Sequence, residues 1–258
     1  MGIKLINGDC IKELKKLEDN FVDLIVIDPP YNLHRFDYGN KSDFQEDIKY
    51  RTWSKQWIAE LVRVLKATGS LYCWIDHNYL GFFQEEFNKV LQYKNTIIWS
   101  KSQGVSYKQK NYIDRYECCL FYTKSENYIF HSDKYFIPLG IEQLLKNIKN
   151  LKYMNWYKNN PKKAKETYER LKKKGKFMVN VWDDVGSKVK KHTKHLNEKP
   201  LELIKRCVLM SSNKEDLVLD CFMGSGTTGV VCNALKRNFI GIELEKEYYD
   251  ISVKRISI

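Results

Sequence analysis

Apolar and polar residues alternate along the chain with two periods. Val22-Asp23-Leu24-Ile25-Val26-Ile27 is a nearly continuous apolar run, the pattern of a strand buried on both faces. Pro29 and Pro30 end it, because neither can donate to a sheet ladder. Ile3 to Asn7 reads as a short strand, and Asp9 as the N-cap of a helix reaching Lys16. Trp57, Leu61, Val64 and Leu65 share one helical face, with Gly69 closing that helix and Ser70 to Ile75 forming the next strand. Phe83, Phe87, Val90 and Leu91 mark another helix. Asn95 to Trp99 is a strand, 102–111 a polar loop, and Tyr116 to Tyr122 a strand again. The alternation predicts a mostly parallel sheet with helices on both faces. It breaks down from about residue 131 to 190, where Pro161 followed by Lys162 to Lys174 reads as a basic helix with proline in its first turn. It returns with a helix over Pro200–Leu209, a strand over Leu217–Leu219, a helix over Thr227–Leu235 and a strand over Phe239–Ile242.

Composition narrows the classes. The 258 residues are 43% hydrophobic, enough for one large α/β domain with an insertion. No apolar run approaches the roughly 18 residues of a membrane span, and the N-terminus lacks the regions of a signal peptide. Seven cysteines without a C-x-x-C pair read as reduced, buried thiols of a cytoplasmic protein. His192 and His195 have no carboxylate or cysteine partner nearby in sequence, so no metal site is expected. The net charge is +12, and residues 141–199 hold 17 Lys and Arg against 6 Asp and Glu. Nearly the whole excess is therefore in one segment, where it is interleaved with Tyr153, Trp156, Tyr157, Tyr168, Phe177 and Trp182. Such a segment suits a phosphate backbone. A solvated lysine-rich face reads the same from charge alone.

Two motifs carry chemistry. Gly224, Gly226 and Gly229 fit G-x-G-x-x-G between a strand and a helix, and Glu243 ends the following strand. Glycines let a backbone approach a nucleoside ligand, and the acid can accept hydrogen bonds from ribose. A nicotinamide cofactor would meet the same pattern. A dinucleotide fold needs further strands after the acid, however, and Ile3 to Asn7 supplies the next one if the sheet is circularly permuted. The second motif is Asp28-Pro29-Pro30-Tyr31. An exocyclic amine on adenine or cytosine is a poor nucleophile, because its lone pair is delocalised into the ring. The Asp28 carboxylate and the Pro29 carbonyl can accept its two N–H groups. Tyr31 offers a face for the base, a stacking contact of about 1–3 kcal/mol. A duplex base must be flipped out to reach such a turn. Both loops would lie on the same sheet edge.

On these motifs the chain resembles the amino-group DNA methyltransferases of the permuted beta class, common in bacterial restriction–modification systems. Asp28-Pro29-Pro30-Tyr31 matches the catalytic motif and Asp220-Cys221-Phe222-Met223-Gly224-Ser225-Gly226-Thr227 the S-adenosylmethionine motif. Asn7-Gly8-Asp9-Cys10 matches the signature near the cofactor adenine. Asn238 to Glu243 matches the ribose strand. His195-Leu196-Asn197-Glu198-Lys199-Pro200 stands where the family has His-Pro-Thr-Gln-Lys-Pro.

The resemblance implies a circularly permuted, Rossmann-like α/β methyltransferase sheet. Residues 1–130 would be its catalytic part, 131–190 an inserted target-recognition region and 191–258 its cofactor part. It implies transfer of the S-adenosylmethionine methyl to N6 of a flipped adenine in duplex DNA, without a metal or a cysteine nucleophile. Asp28, Pro29, Pro30 and Tyr31 would be catalytic. Asp9, Cys10, Lys199, Asp220, Phe222, Gly224, Ser225, Gly226, Thr227 and Glu243 would hold the cofactor. Lys162, Lys163, Lys172, Lys173, Lys174 and Lys176 would meet DNA, and Tyr107, Lys108 and Lys110 would close over the base. Asp at the head of the catalytic motif favours adenine over the alternative, cytosine-N4. RNA base methylation and an inactive DNA-binding subunit are further alternatives. A homodimer and a cognate restriction endonuclease are partners the resemblance brings with it, and no feature of the sequence alone selects either.

Overall fold

The computed structural model describes residues 2–33, 46–101, 112, 114–132, 136–137, 159–160, 162–163, 166, 176–177, 179–186 and 198–256. The chain divides into two compact units, one of residues 1–130 with 180–258 and the other of residues 131–179.

The larger unit is built on an eight-stranded sheet. Its strands are β1 (Ile3–Asn7), β2 (Val22–Ile27), β3 (Leu65–Ile75), β4 (Gln92–Ser100), β5 (Tyr116–Thr123), β8 (Val181–Trp182), β9 (Leu217–Asp220) and β10 (Asn238–Glu243). Their spatial order is β1-β10-β9-β2-β3-β5-β4-β8. The first five are parallel, with Ile3 opposite Phe239, Phe239 opposite Val218, Leu24 also opposite Val218, and Ile25 opposite Leu71. The sheet is mostly parallel, as predicted; β5 alone runs the other way, inserted antiparallel between β3 and β4. Nothing in the apolar run of β5 encodes its direction.

Alternation within the buried strands separates two cores. Ile25 and Ile27 face α1 (Cys10–Leu14), α2 (Asp47–Val64) and α3 (Leu80–Asn88), where Leu14, Trp57, Leu61, Phe83 and Phe87 are buried. The opposite face, with Leu24, Val26 and Val218, is covered by α4 (Leu201–Ser211), α5 (Thr227–Ala234) and α6 (Lys246–Ile256). Asp9 caps α1 as predicted, accepting the Lys12 amide at 3.0 Å. The second helix, by contrast, stops at Val64, and Gly69 lies inside β3. The ladder with β2 jumps there, from Val22 opposite Leu65 to Leu24 opposite Ser70. A Cβ on Gly69 would collide with the Leu65 side chain, so the glycine marks a bulge and not a helix end.

Residues 180–186 are fastened to the sheet edge. Arg206 grips Asp184 through two nitrogens at 3.0 and 2.6 Å, and Trp99 donates its Nε1–H to the Val185 carbonyl at 2.9 Å. In the smaller unit, β6 (Phe136–Ile137) pairs antiparallel with β7 (Lys176–Phe177). Lys162 and Lys163 are exposed on helical backbone. Lys172, Lys173, Lys174, Tyr107, Lys108, Lys110, His192 and His195 lie outside the described residues, as does most of the predicted basic helix. All seven cysteines are buried and free. Among the described residues no helix is long and apolar enough to cross a membrane.

Candidate active site

Four neighbouring parallel strands, β1, β10, β9 and β2, end on one edge of the sheet and leave a cavity of about 360 Å³ there. That size suits a nucleoside-sized ligand. Asp9 and Cys10 line it from the end of β1, Asp28 and Pro30 from β2, and Glu243 from β10. The loop after β9 contributes Asp220, Phe222, Gly224, Ser225 and Thr227, and Lys199 enters from the segment before α4.

The glycine loop is fixed by its own hydrogen bonds. Gly224 (φ 53°) and Gly226 (φ 84°) both occupy the left-handed region, open to glycine without strain. Gly226 also forms the N-cap of α5, and a Cβ there would stand 2.9 Å from Ser252 Cβ and from Ile256 Cδ1. Asp220 accepts the Phe222 amide at 3.1 Å and the Thr228 hydroxyl at 2.6 Å. Burial nevertheless pushes its carboxyl up to about 7, because an ion loses more hydration than two hydrogen bonds restore. Glu243 accepts the Gly224 amide on Oε2 at 2.7 Å and the Glu245 amide on Oε1 at 2.8 Å. Its carboxyl too is raised by burial, against the pull of those amides. The Phe222 ring meets Trp53 and Trp57 edge-on at 5.7 and 5.4 Å, so one wall of the cavity is rigid and aromatic. Burial, then neighbouring Asp9, push the Cys10 thiol up to about 12, which keeps it neutral.

Three participants in this loop are not among the cofactor residues that the motifs predict. Arg255 of α6 donates to Ser225 Oγ at 2.9 Å, Thr227 Oγ1 at 3.2 Å and the Ser225 carbonyl at 3.2 Å. Its other terminal nitrogen pairs with Glu198. The Glu that replaces the family's Gln is therefore matched by an arginine. Trp53, one helical turn before Trp57, is the third.

The Asp28 turn is held differently from expectation. Asp28 Oδ1 accepts the Tyr31 hydroxyl at 2.7 Å, and Oδ2 accepts Lys199 Nζ at 2.6 Å. Lys199 also reaches the Tyr31 hydroxyl at 3.0 Å and lies 5.2 Å from the centre of the Tyr31 ring. Lys199 thus shares the cavity with the glycine loop, but its ammonium is committed to the Asp28 turn. That places the ammonium at the hydroxyl end of Tyr31. Burial raises the Asp28 carboxyl, and the Lys199 ammonium works against that rise. Tyr50 of α2 donates to the Pro30 carbonyl at 2.7 Å, pinning the turn to the helix. Asn32, at φ 56°, donates to the Tyr79 hydroxyl at 2.7 Å and closes the turn on the other side. Pro29, Tyr31 and Gly226 support the cavity without lining it. Among the described residues no three His, Cys, Asp or Glu side chains are grouped to hold a metal.

The donor set suits S-adenosylmethionine. A paired glycine turn gives room for close backbone approach, a buried acid ends the adjoining strand, and apolar and aromatic walls flank both. This sheet, glycine loop and acidic strand end, with an Asp-Pro-Pro turn one strand away, define an S-adenosylmethionine-dependent methyltransferase. The chain belongs to the DNA methylase family of N6 and N4 enzymes, whose model matches residues 22–254. It is 33% identical to the type II methyltransferase M.HpaI of Haemophilus parainfluenzae, over 99% of this chain and 74% of that protein. It is 36% identical to the DNA adenine methyltransferase YhdJ of Escherichia coli K12, over 98% of this chain and 82% of that one. The M1.HpyAVI–SAM complex has the same fold, with a TM-score of 0.68 at 23% identity over 99% of this chain and all of that one. The cytosine-N4-specific PvuII DNA methyltransferase also shares it, with a TM-score of 0.70 at 16% identity over 99% of this chain and 86% of its own.

Proposed function

We propose that this DNA methyltransferase modifies N6 of an adenine flipped out of duplex DNA at a specific sequence. The observation that carries the reading is the placement of Asp28 in the same cavity as the glycine loop and Glu243. Asp9, Cys10, Phe222, Gly224 to Thr227 and Glu243 would hold S-adenosylmethionine. When bound, it supplies an activated methyl on a sulfonium whose leaving group is a neutral thioether. Asp28 and the Pro29 carbonyl accept the two amine N–H groups, which turns the nitrogen lone pair out of the ring. Asp28 then holds the proton the amine gives up, a task suited to a carboxyl raised by burial. Placement of reactants and fixed charge supply most of the rate. The base stacks on Tyr31.

The order of motifs, catalytic first and cofactor last, supports assignment to the beta class, with β1 supplying the strand beside β10. The basic stretch within residues 131–190 is read as the target-recognition region, with Lys162, Lys163, Lys172, Lys173, Lys174 and Lys176 on phosphates. The reading carries with it the pairing of two copies, a cognate endonuclease and action in the cytoplasm. Asp at the head of the turn favours adenine, as does the likeness to an enzyme named for adenine methylation.

Methyl transfer to unmethylated duplex DNA, followed by nucleoside mass spectrometry, tests the proposal. N6-methyladenine is expected. N4-methylcytosine would keep the site and overturn the base, and product on RNA alone would overturn the substrate.

A further inference from the structure

Glu117 belongs to no motif. It stands near the start of β5, mostly buried, ahead of the fully buried run Cys118-Cys119-Leu120. An acid in that position needs compensation, and it is compensated twice. Its Oε2 lies 3.1 Å from Lys199 Nζ, and its Oε1 pairs with Lys101 at the end of β4. Lys199 in turn binds Asp28 at 2.6 Å, with only 7% of its side chain exposed. Asp28, Lys199, Glu117 and Lys101 therefore form a row of alternating charge from the catalytic turn to the partly exposed sheet edge.

We propose that Glu117 is a positioning residue of the methyl-transfer site, which holds the Lys199 ammonium at the angle that fixes the Asp28 carboxylate. The proposal rests on the reading of Asp28 as the group that receives the amine. Lys199 alone would neutralise Asp28 and pull it toward itself. A second carboxylate on the far side of the ammonium shares that pull, so Asp28 keeps accepting capacity for the base. Lys199 is not a proton shuttle. Burial disfavours its charge, but Asp28 and Glu117 together raise it well above the ordinary lysine value, so it stays a fixed cation. Lys199 and Lys101 hold Glu117 ionised despite its burial.

The charged and titratable groups around Asp28 are Lys199, Glu117, Tyr31, Asp220 and the Cys73 thiol. Those around Glu117 are Lys199, Lys101, Asp28, Tyr31 and the Cys118 thiol. Lys199 lowers the Asp28 carboxyl and Glu117 raises it, so removing each must move Asp28 in opposite directions.

The test is an NMR titration of carboxyl-13C aspartate in the full chain, read beside single-turnover methyl transfer against pH. Glu117→Gln should lower the Asp28 titration by about one pH unit, and Lys199→Met should raise it by at least as much. Glu117→Asp, which keeps the charge but withdraws it by one methylene, should hold the titration near the parent's. Both Glu117 variants should slow single turnover about ten- to a hundredfold, with the Kd for S-adenosylmethionine unchanged. An Asp28 titration that is the same in all proteins, or that moves in one direction for both charge-removing variants, overturns the proposal. Opposed NMR shifts in the two variants, with a parent protein that methylates no DNA, would uphold the network and sink the functional reading instead.

Discussion

Replacing Glu243 by Gln puts the cofactor side of the site to a quantitative test. Both oxygens of Glu243 are engaged by backbone amides, of Gly224 and of Glu245. A hydrogen bond to a charged group contributes about 1.5–3 kcal/mol. Glutamine keeps one acceptor oxygen, so one amide retains a weakened bond and the other faces an NH2 group. The protein without ligand should lose about 1.5–3 kcal/mol of stability, the value of the bond removed. The loss falls on the Gly224 turn, which the loop must then order at the moment of binding. The same carboxylate is proposed to accept from ribose, so affinity for S-adenosylmethionine should fall about ten- to a hundredfold. Urea denaturation without ligand measures the first effect and titration calorimetry the second. Glu243→Asp keeps the charge but cannot reach both amides, and should lose stability as well. A Gln variant with the parent's stability and the parent's Kd would refute the claim that Glu243 organises the loop.

Asp28→Ala should abolish methyl transfer while S-adenosylmethionine binding persists, and near-parental turnover would remove Asp28 from catalysis. Gly226→Ala should destabilise by about 2–4 kcal/mol, combining left-handed backbone strain with overpacking against Ser252 and Ile256; thermal denaturation reads it. Asp220 titrates near 7 in the folded chain against an ordinary value of 3.8. The folded form thus binds the proton more tightly. The stability this supplies is full below about pH 4 and is lost as pH rises to about 7, roughly 4 kcal/mol in all. Asp220→Asn should remove that slope, seen by comparing urea midpoints of the two proteins across this range. Arg255→Met removes the arginine that pairs with the buried Glu198 carboxylate and should cost about 3–5 kcal/mol. Adding Glu198→Gln should recover much of that cost, and a double variant no better than the single would refute the pairing.

What the sequence made legible follows from what is local. The buried strands β2, β9 and β10, the Asp9 cap and the loops at strand ends depend on neighbours within a few residues, and their alternation and turn chemistry announce them. The stretch from Lys66 to Gly69 reads as a helix end because its polar and glycine residues conceal a bulge whose reason is a ladder with β2. The direction of β5 depends on which strands it joins, and α6 is a segment rich in charged residues. The partners of Lys199 were hidden for the same reason. Asp28 and Glu117 are 171 and 82 positions away, brought together only by the order β2-β3-β5. Arg255, Glu198 and Trp53 likewise act through side-chain pairs that no local pattern records.

The pairing of β1 with β10 has a bearing on synthesis. Ile3 must wait for Phe239, and Asn7 for the Glu243 carbonyl 236 positions later. At about 5–20 residues per second, β1 leaves the ribosome on the order of ten seconds or more before its neighbour exists. Until then its ladder groups and the free side of β9 stand unpaired, and the wall that carries Asp9 has nothing to close against. Closing so distant a pair late is slow by the logic of contact order. A nascent chain interrupted before β10 would hold the Asp28 turn without the acid that ends the ligand's cradle. The activity should therefore switch on only when translation of this last sheet strand is complete, and partial products should be silent toward DNA.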